Sequence, residues 1–429
     1  MNTAANTAPP PPVGYAWTVV ALLFPVALLN YLDRQMLATM KSSMVGDIPS
    51  IANKADWGVV LACFKWTYAV LSPFCGYVAD RVSKRLVIGG SLFVWSAVTW
   101  WTGHVHTYHE LVAARALMGI SEAFYIPTAL ALIANYHTEG TRSRAVGVHQ
   151  AGMYVGQILG GFAGYVADSP EHGWRWAFTT CGMIGVIYAL PLLAALRDPA
   201  RDETESGTDV ANAPSENVFR SLLGNRNFLL LALYFTLPAI AGWVVRDWMP
   251  DILKEKFHLG QGQAGVSAIL FVQVAALLGA VIGGTLADRW MHRTARGRIF
   301  TSALGMSLFL PALFCVGNAG TLTVAILGLI VFGFGWGFFD CNNMPILCQI
   351  ARPEWRATGY GIMNLVSISC GGFGDWAFGV LRDRHVPLNL IFGAFAGIAL
   401  LSVFVVLMIK PGEEEKAQRT KFKAQGKDQ

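Results

Sequence analysis

The sequence predicts an all-α protein that crosses a lipid bilayer twelve times, with its helices grouped into two bundles of six. Three observations lead to this fold class. Only 14% of the 429 residues are charged, whereas a soluble domain carries about 25%. Apolar segments of about 20 residues, the length that spans the hydrocarbon core, recur along the chain. Sequence motifs also repeat at a nearly constant distance, which divides the apolar segments into two halves.

The apolar segments are separated by short polar loops, with one longer polar stretch in the middle of the chain. The first six lie at 16–40, 57–79, 86–103, 110–135, 145–167 and 175–196. The second six lie at 227–250, 264–287, 299–317, 321–350, 357–380 and 387–409. We expect a tail at 1–15, a first bundle at 16–196, a linker at 197–226, a second bundle at 227–409 and a tail at 410–429.

The distribution of basic residues predicts which side of the membrane each loop faces. Arginine and lysine are concentrated in the linker, in the C-terminal tail and in the loops after the second, fourth, eighth and tenth segments. By the positive-inside rule these loops and both termini are cytoplasmic. We expect a monomeric, multi-pass protein of the plasma membrane (the inner membrane of a bacterium). The net charge of +5 is explained by this topology and requires no nucleic-acid partner.

The internal repeat lies in the loops of the two halves. "GYVADRVSKR" at 76–85 is echoed by "GTLADRWMHR" at 284–293, and "RAVGV" at 144–148 by "RATGY" at 356–360. The pattern G-x-x-x-D-R-x-x-K-R resembles the signature loop of the major facilitator superfamily, although Ser83 stands where that family usually has glycine. The resemblance implies the major facilitator fold, in which two bundles rock about a central site. It also implies that Asp80 and Arg81 belong to a cytoplasmic gate.

Ionisable residues inside the apolar segments are candidates for function. Each costs roughly 2.5–3.5 kcal/mol at the centre of a membrane helix, so such residues are kept where they serve a purpose. They are Asp33, Arg34, Lys65, Arg115 and Glu122 in the first half, with His149 as a further candidate there, and Arg246, Asp247, Asp340 and Asp375 in the second.

The spacing of four of these charges predicts how they are arranged. Arg115 and Glu122 are seven residues apart, nearly two helical turns, so they share one helix face about 10 Å apart along the axis. Asp33 and Arg34 are adjacent and point about 100° apart, so they do not satisfy each other. We expect Asp33 to face a cation such as Arg115, which leaves Arg34 to hold an anionic ligand.

The motifs around these charges carry a narrower resemblance. "NYLDR" at 30–34, "WTY" at 66–68 and R-x6-E at 115–122 resemble the anion:cation symporter family, which includes hexuronate and galactonate transporters. The resemblance implies that Asp33 and Glu122 are protonation sites with Arg115 as their counter-ion. It implies substrate contacts from Tyr31, Arg34, Tyr68, Asn364 and Ser367.

Three features depart from that family. Lys65 is an additional cation, which would act as a second substrate anchor or replace a counter-ion. The fifth segment matches poorly, so the polar contact there falls to Gln150 or to Gln157, of which we favour Gln157. The tenth segment contains a polar cluster with Asp340, and its Asn343 would suit a polyhydroxylated ligand.

The same motifs also resemble those of spinster-like transporters, which carry NY-x-DR and a similar Arg/Glu pair. The motifs therefore do not distinguish a sugar-acid substrate from a lysolipid substrate. We expect a proton-coupled symporter that imports a small organic anion, preferably a sugar acid, without a cofactor. A lysolipid or amphiphile transporter and a monocarboxylate or other organic-anion transporter remain alternatives, as does sodium as the coupling ion. The sequence contains neither a G-x-S-x-G nor an H-E-x-x-H motif, and we do not expect an enzyme.

Overall fold

The computed structural model describes residues 13–137, 139–198, 218–352 and 355–410, without the side chains of 13, 76–81, 139–140, 143 and 357. This part of the chain is almost entirely helical. The helices are α1 (Val13–Thr39), α2 (Lys41–Asp47), α3 (Lys54–Arg81), α4 (Lys84–Thr102), α5 (Tyr108–Glu122), α6 (Tyr125–Tyr136), α7 (Glu139–Ala167), α8 (Gly173–Ala195), α9 (Val218–Gly224), α10 (Arg226–Phe257), α11 (Gln261–Arg293), α12 (Gly297–Asn318), α13 (Leu322–Ile350), α14 (Arg356–Asp383) and α15 (Leu388–Met408).

Each of the twelve predicted segments is helical, which confirms the all-α fold class. The fourth segment is interrupted between α5 and α6, at Ala123 and Phe124. Within the described residues, nine helices are long and apolar enough to cross a membrane when α5 and α6 are taken together. The three other segments, α4, α7 and α14, have comparable length but contain more polar residues.

The helices form two groups that meet along two seams. In the first half α1 packs against α7 and α4 against α8, and in the second α13 packs against α11 and α12. The halves meet where α3 runs along α14 and where α7 runs along α11. Glycine permits the close approach of α3 and α14. A Cβ at Gly379 would lie 2.3 Å from the Lys54 carbonyl oxygen, and one at Gly58 would lie 2.8 Å from the Asp375 carbonyl oxygen.

The two halves are closed against each other at one end, which we call the sealed end. It carries the loops at 48–53, 103–107, 168–172, 258–260, 319–321 and 384–387. Lys54 Nζ donates to both carboxylate oxygens of Glu255 at 2.6 and 2.7 Å, and Gln261 donates to Asp168 at 2.8 Å. The described hydrogen bonds and ion pairs between the halves all lie at this end or in the middle of the molecule.

Candidate functional site

A central cavity of about 290 Å³ lies between the halves and extends from the middle towards the end opposite the seal. Its first-half wall is polar and aromatic, with Tyr31, Arg34 and Tyr68 at its surface. Its second-half wall is largely aromatic and apolar. The aromatic residues of that wall are Phe235, Trp243, Phe332, Trp336, Phe339 and Tyr360. A larger depression of about 620 Å³ lies near Glu255 at the sealed end, but it opens on the surface.

The guanidinium group of Arg34 is held at the edge of this cavity by one carboxylate and three aromatic rings. Its Nε and Nη2 lie 2.6 and 2.5 Å from the same Glu122 oxygen. The guanidinium carbon lies 4.9, 4.7 and 5.3 Å from the ring centres of Tyr31, Phe64 and Tyr68. Cation–π contact and a charged hydrogen bond together fix this side chain while leaving it partly open to the cavity.

Glu122 lies behind Arg34 and has no exposure to solvent, whereas 15% of the Arg34 side chain is exposed. Glu122 is the last residue of α5, immediately before the interruption of the fourth segment. The pairing differs from the sequence expectation, which left Arg34 without an internal partner. The cause is the direction of the adjacent side chains on α1, because Arg34 faces α5 while Asp33 faces α4.

Asp33 and Arg115 are both buried, with 3% exposure each. Thr99 of α4 donates a 3.1 Å hydrogen bond to one oxygen of Asp33. Arg115 points Nη1 at the Met118 sulfur, 2.8 Å away, and lies 4.5 Å from the centre of the Phe64 ring. Phe64 therefore contacts two guanidinium groups. The four charges of the first-half group, Asp33, Arg34, Arg115 and Glu122, are close together and sum to zero.

Lys65 does not line the central cavity. The residue is 2% exposed, and its ammonium group forms ion pairs with Asp247 of α10 and Asp375 of α14. The ring centre of Trp243 lies 4.4 Å from the same nitrogen. Of the two roles left open by the sequence, these contacts favour a counter-ion over a substrate anchor.

The second half contributes two charges to the cavity wall. Arg246 and Asp340 both line it, and neither forms a described ion pair with another residue. The guanidinium carbon of Arg246 lies 4.9 Å from the Trp243 ring centre. Asp340 is exposed to the cavity. The sequence identified both residues as unusual charges but gave no basis for assigning them a role.

Most of the predicted substrate residues are gathered at this cavity, but not all of them. The predicted residues that line it are Tyr31, Arg34, Tyr68, Gln157, Asn364 and Ser367, and the alternative Gln150 lines it too. Gln157 accepts a 2.9 Å hydrogen bond from Gln273 across the halves. Asn343 is 2% exposed and does not line the cavity. The side chains of Asp80 and Arg81 lie outside the described residues. Phe64 was missed because one aromatic residue in an apolar helix carries no signal.

The described residues contain no group of three side chains suited to a metal ion. The candidate site instead combines buried ion pairs, aromatic rings and amide side chains around a cavity that extends towards one end of the molecule. Such a site can bind a small molecule and change its own charge by proton transfer.

Comparison with known proteins gives a consistent result. The model of the family described as "Major Facilitator Superfamily" matches residues 23–375. The Drosophila melanogaster protein spinster is 24% identical over 390 residues, which cover 87% of this chain but only 63% of that protein. The probable L-galactonate transporter of Escherichia coli is 27% identical over 398 residues, covering 87% of this chain and 84% of that protein.

Solved structures agree on the fold. A bacterial homologue of the human lysosomal transporter spinster, in an inward-facing and occupied conformation, has a TM-score of 0.77 at 18% identity and covers 92% of this chain and 97% of that one. The inward-open xylose transporter XylE of E. coli has a TM-score of 0.72 at 16% identity, with 92% and 96% of the chains covered.

Proposed function

Because the chain belongs to the Major Facilitator Superfamily and is a multi-pass membrane transporter of that fold, we propose that it imports an organic anion together with protons. The observation that carries this proposal is the Arg34–Glu122 ion pair at the wall of the central cavity. A guanidinium group that already holds a carboxylate is a poor site for a second one. Protonation of Glu122 removes its charge and releases Arg34 for the carboxylate of a substrate.

The same arrangement couples the binding of the organic anion to the binding of a proton. An anion that binds Arg34 without a proton would leave the first-half charge group with one surplus negative charge inside the membrane. Binding of one proton on Glu122 or on Asp33 restores neutrality, and a buried charge is costly enough to make the two events occur together. Arg115 stays with the buried carboxylates as their permanent counter-charge. Joint binding of proton and anion is the requirement for symport.

We assign the sealed end to the extracytoplasmic side, since the basic loops are concentrated at the other end. The cavity then opens towards the cytoplasm. Protons and substrate would enter from outside when the sealed end separates and would leave through the end at which the cavity opens. Both termini are cytoplasmic in this arrangement.

A sugar acid is our first choice of substrate. Asn364, Ser367 and Tyr360 on the second-half wall, with Gln150 on the first-half wall, offer hydrogen-bonding groups to several hydroxyls. The similarity to a probable L-galactonate transporter supports the same class. The second candidate is an amphiphile with an anionic head, which the aromatic second-half wall and the similarity to spinster proteins favour.

The proposal is tested by uptake into proteoliposomes that are acidic outside. Glu122→Gln should abolish accumulation against a concentration gradient, while exchange of labelled for unlabelled substrate continues. Glu110→Gln is the matched control, because Glu110 lies on the same helix in an exposed capping box and keeps an acceptor oxygen as glutamine. Undiminished gradient-driven accumulation in Glu122→Gln would refute the coupling role. A panel of hexuronates, aldonates and lysolipids in a thermal-shift assay chooses between the two substrate classes.

A further inference from the structure

We propose that Asp247 and Asp375 form a second proton-binding site, occupied by the Lys65 ammonium group while the halves are sealed and by a proton from outside when they separate. This site lies in the other half from Asp33 and Glu122, and it would control the opening of the sealed end. One part of this proposal depends on the proposed function: the statement that the proton comes from outside assumes the proposed orientation of the molecule.

The first argument is the position of the three residues. Lys65 lies on α3 of the first half, while Asp247 and Asp375 lie on α10 and α14 of the second. The ammonium group is therefore the innermost ionic contact between the halves, one layer below Lys41–Asp251 and two below Lys54–Glu255. A void of only about 20 Å³ adjoins it, which leaves room for about one water molecule. Any separation of the halves at the sealed end must break this contact.

The second argument is how the charges divide when the halves separate. The membrane-depth charges of the first half are Asp33, Arg34, Lys65, Arg115 and Glu122, which sum to +1 when all are ionised. Those of the second half are Arg246, Asp247, Asp340 and Asp375, which sum to −2. Separation therefore removes a cation from the half that already has a surplus of carboxylates.

The third argument is the spacing of the two carboxylates. One oxygen of each contacts the same ammonium nitrogen, so the two side chains converge on one point. Without the ammonium group, two carboxylates this close share a proton, because both cannot remain charged next to each other. The second oxygen of Asp375 has no hydrogen-bond partner among the described residues.

Other charged groups reach this site without replacing Lys65. Arg115 of α5 acts electrostatically on Asp247, and Arg34 of α1 lines the same small void. Both leave with the first half. Arg246 of α10 lines the void as well and remains with the carboxylates. It offsets one of the two charges, so one proton completes the balance around Asp247 and Asp375.

The sign of the pH effect follows from the proton count. The separated state binds one proton more than the sealed state, so acid favours separation, by at most about tenfold in the population ratio per pH unit. Lys65→Met should remove this pH effect. Its sealed state buries the two carboxylates without the ammonium group, so it takes up the same one proton that the separated state binds.

The experiment measures the distance between nitroxide labels at His106 and Asn389, exposed residues at the sealed ends of the two halves. It uses full-length protein in nanodiscs without substrate, with the seven native cysteines replaced. We expect the separated population to rise with acid in the parent protein. Asp375→Asn, and independently Asp247→Asn, should raise that population at all pH values and remove its pH dependence.

Lys54→Met is the matched control, since Lys54–Glu255 also joins the halves, but the Glu255 side chain is 44% exposed and keeps its charge in water without the ammonium group. It should show more separation than the parent and retain the acid response. Glu122→Gln should retain that response too, although it loses gradient-driven uptake, so failure of this proposal and failure of the proposed symport are told apart. An unchanged acid response in both Asp375→Asn and Asp247→Asn would overturn the proposal. So would separation driven by sodium ions at constant alkaline pH, because the occupant would then not be a proton.

Discussion

Arg34 of α1 and Glu122 of α5 lie 88 residues apart in the chain and form an ion pair of 2.5 Å at the wall of the central cavity. Only the arginine is exposed to the cavity. This difference in exposure gives the two residues different tasks, because the exposed guanidinium group can exchange partners and the buried carboxylate can change its protonation.

Arg34→Lys should weaken substrate binding by about 10–100-fold, which corresponds to the 1.5–3 kcal/mol of a charged hydrogen bond. Lysine keeps the positive charge but loses the planar fork that holds a carboxylate through two bonds. The measurement is the dissociation constant by calorimetry in detergent. Arg298→Lys is the control, because that arginine forms an exposed pair with Asp288 at 3.3 Å and should not affect binding. Equal affinity in Arg34→Lys would mean that the substrate binds elsewhere.

Substrate affinity should increase as the pH falls. If protonation of Glu122 releases Arg34, binding of the anion takes up a proton, and the association constant rises by up to about tenfold per pH unit until the proton is bound in advance. Glu122→Gln should bind the anion tightly at all pH values, since Arg34 is then never occupied by a carboxylate. Calorimetry across a pH series checks both statements. Weaker binding in this variant would show that the ion pair positions Arg34 instead of blocking it.

The charged residues that the sequence singled out as candidates share one property. Arg34, Glu122 and Lys65 are charges in apolar helices, and the cost of burying them is visible without any structure. The partners of these charges depend on how the helices pack against each other, and the sequence of a single helix does not determine that packing. The adjacent positions of Asp33 and Arg34 on α1 predict only that the two side chains point in different directions. Whether Arg34 meets Glu122, and whether Asp33 meets Arg115, depends on the position of α5 relative to α1, on a scale of one helical turn.

The fold was predictable for a related reason, since apolar length and the repeat determine the number of helices and their grouping. The interruption at Ala123 and Phe124 was not, because neither residue breaks a helix by its own chemistry. Asn343 is a different case. A polar residue in an apolar helix indicated a ligand contact, but the structure places it in the helix packing, away from the cavity.

Gly379→Ala should favour separation of the halves by about 1–3 kcal/mol, which is the usual cost of overpacking. The new Cβ would lie 2.3 Å from the Lys54 carbonyl oxygen and 2.8 Å from its carbonyl carbon, and backbone atoms cannot move aside as a flexible side chain can. Labels at His106 and Asn389 report the shift. Gly393→Ala is the control, because nothing lies within 4 Å of a Cβ at that position. A sealed population equal to that of the control would show that α3 and α14 adjust at no cost.

His149→Phe should lower stability by about 1 kcal/mol and leave the pH dependence of transport unchanged. His149 Nε2 lies 2.8 Å from the Tyr125 hydroxyl, and this hydroxyl donates to the Leu23 carbonyl oxygen at 3.2 Å. Tyr125 therefore retains one partner after the substitution. No described carboxylate pairs with His149, and we expect this residue to act in packing. The melting temperature and the pH profile of uptake test the two parts, and a shifted profile would assign His149 to the proton pathway.

Two substitutions of Tyr360 should distinguish the candidate substrates. Its ring and hydroxyl belong to the second-half wall of the cavity, near Asn364. For a sugar acid we expect Tyr360→Phe to reduce affinity by about 3–10-fold, because one hydrogen bond of about 1 kcal/mol is lost while the ring remains. For an amphiphile Tyr360→Phe should be neutral and Tyr360→Ala should be the damaging change, since the apolar contact area is what binds. Dissociation constants of both variants for an aldonate and a lysolipid decide the question. A sugar acid that binds Tyr360→Phe as tightly as the parent would argue against hydroxyl recognition at this wall.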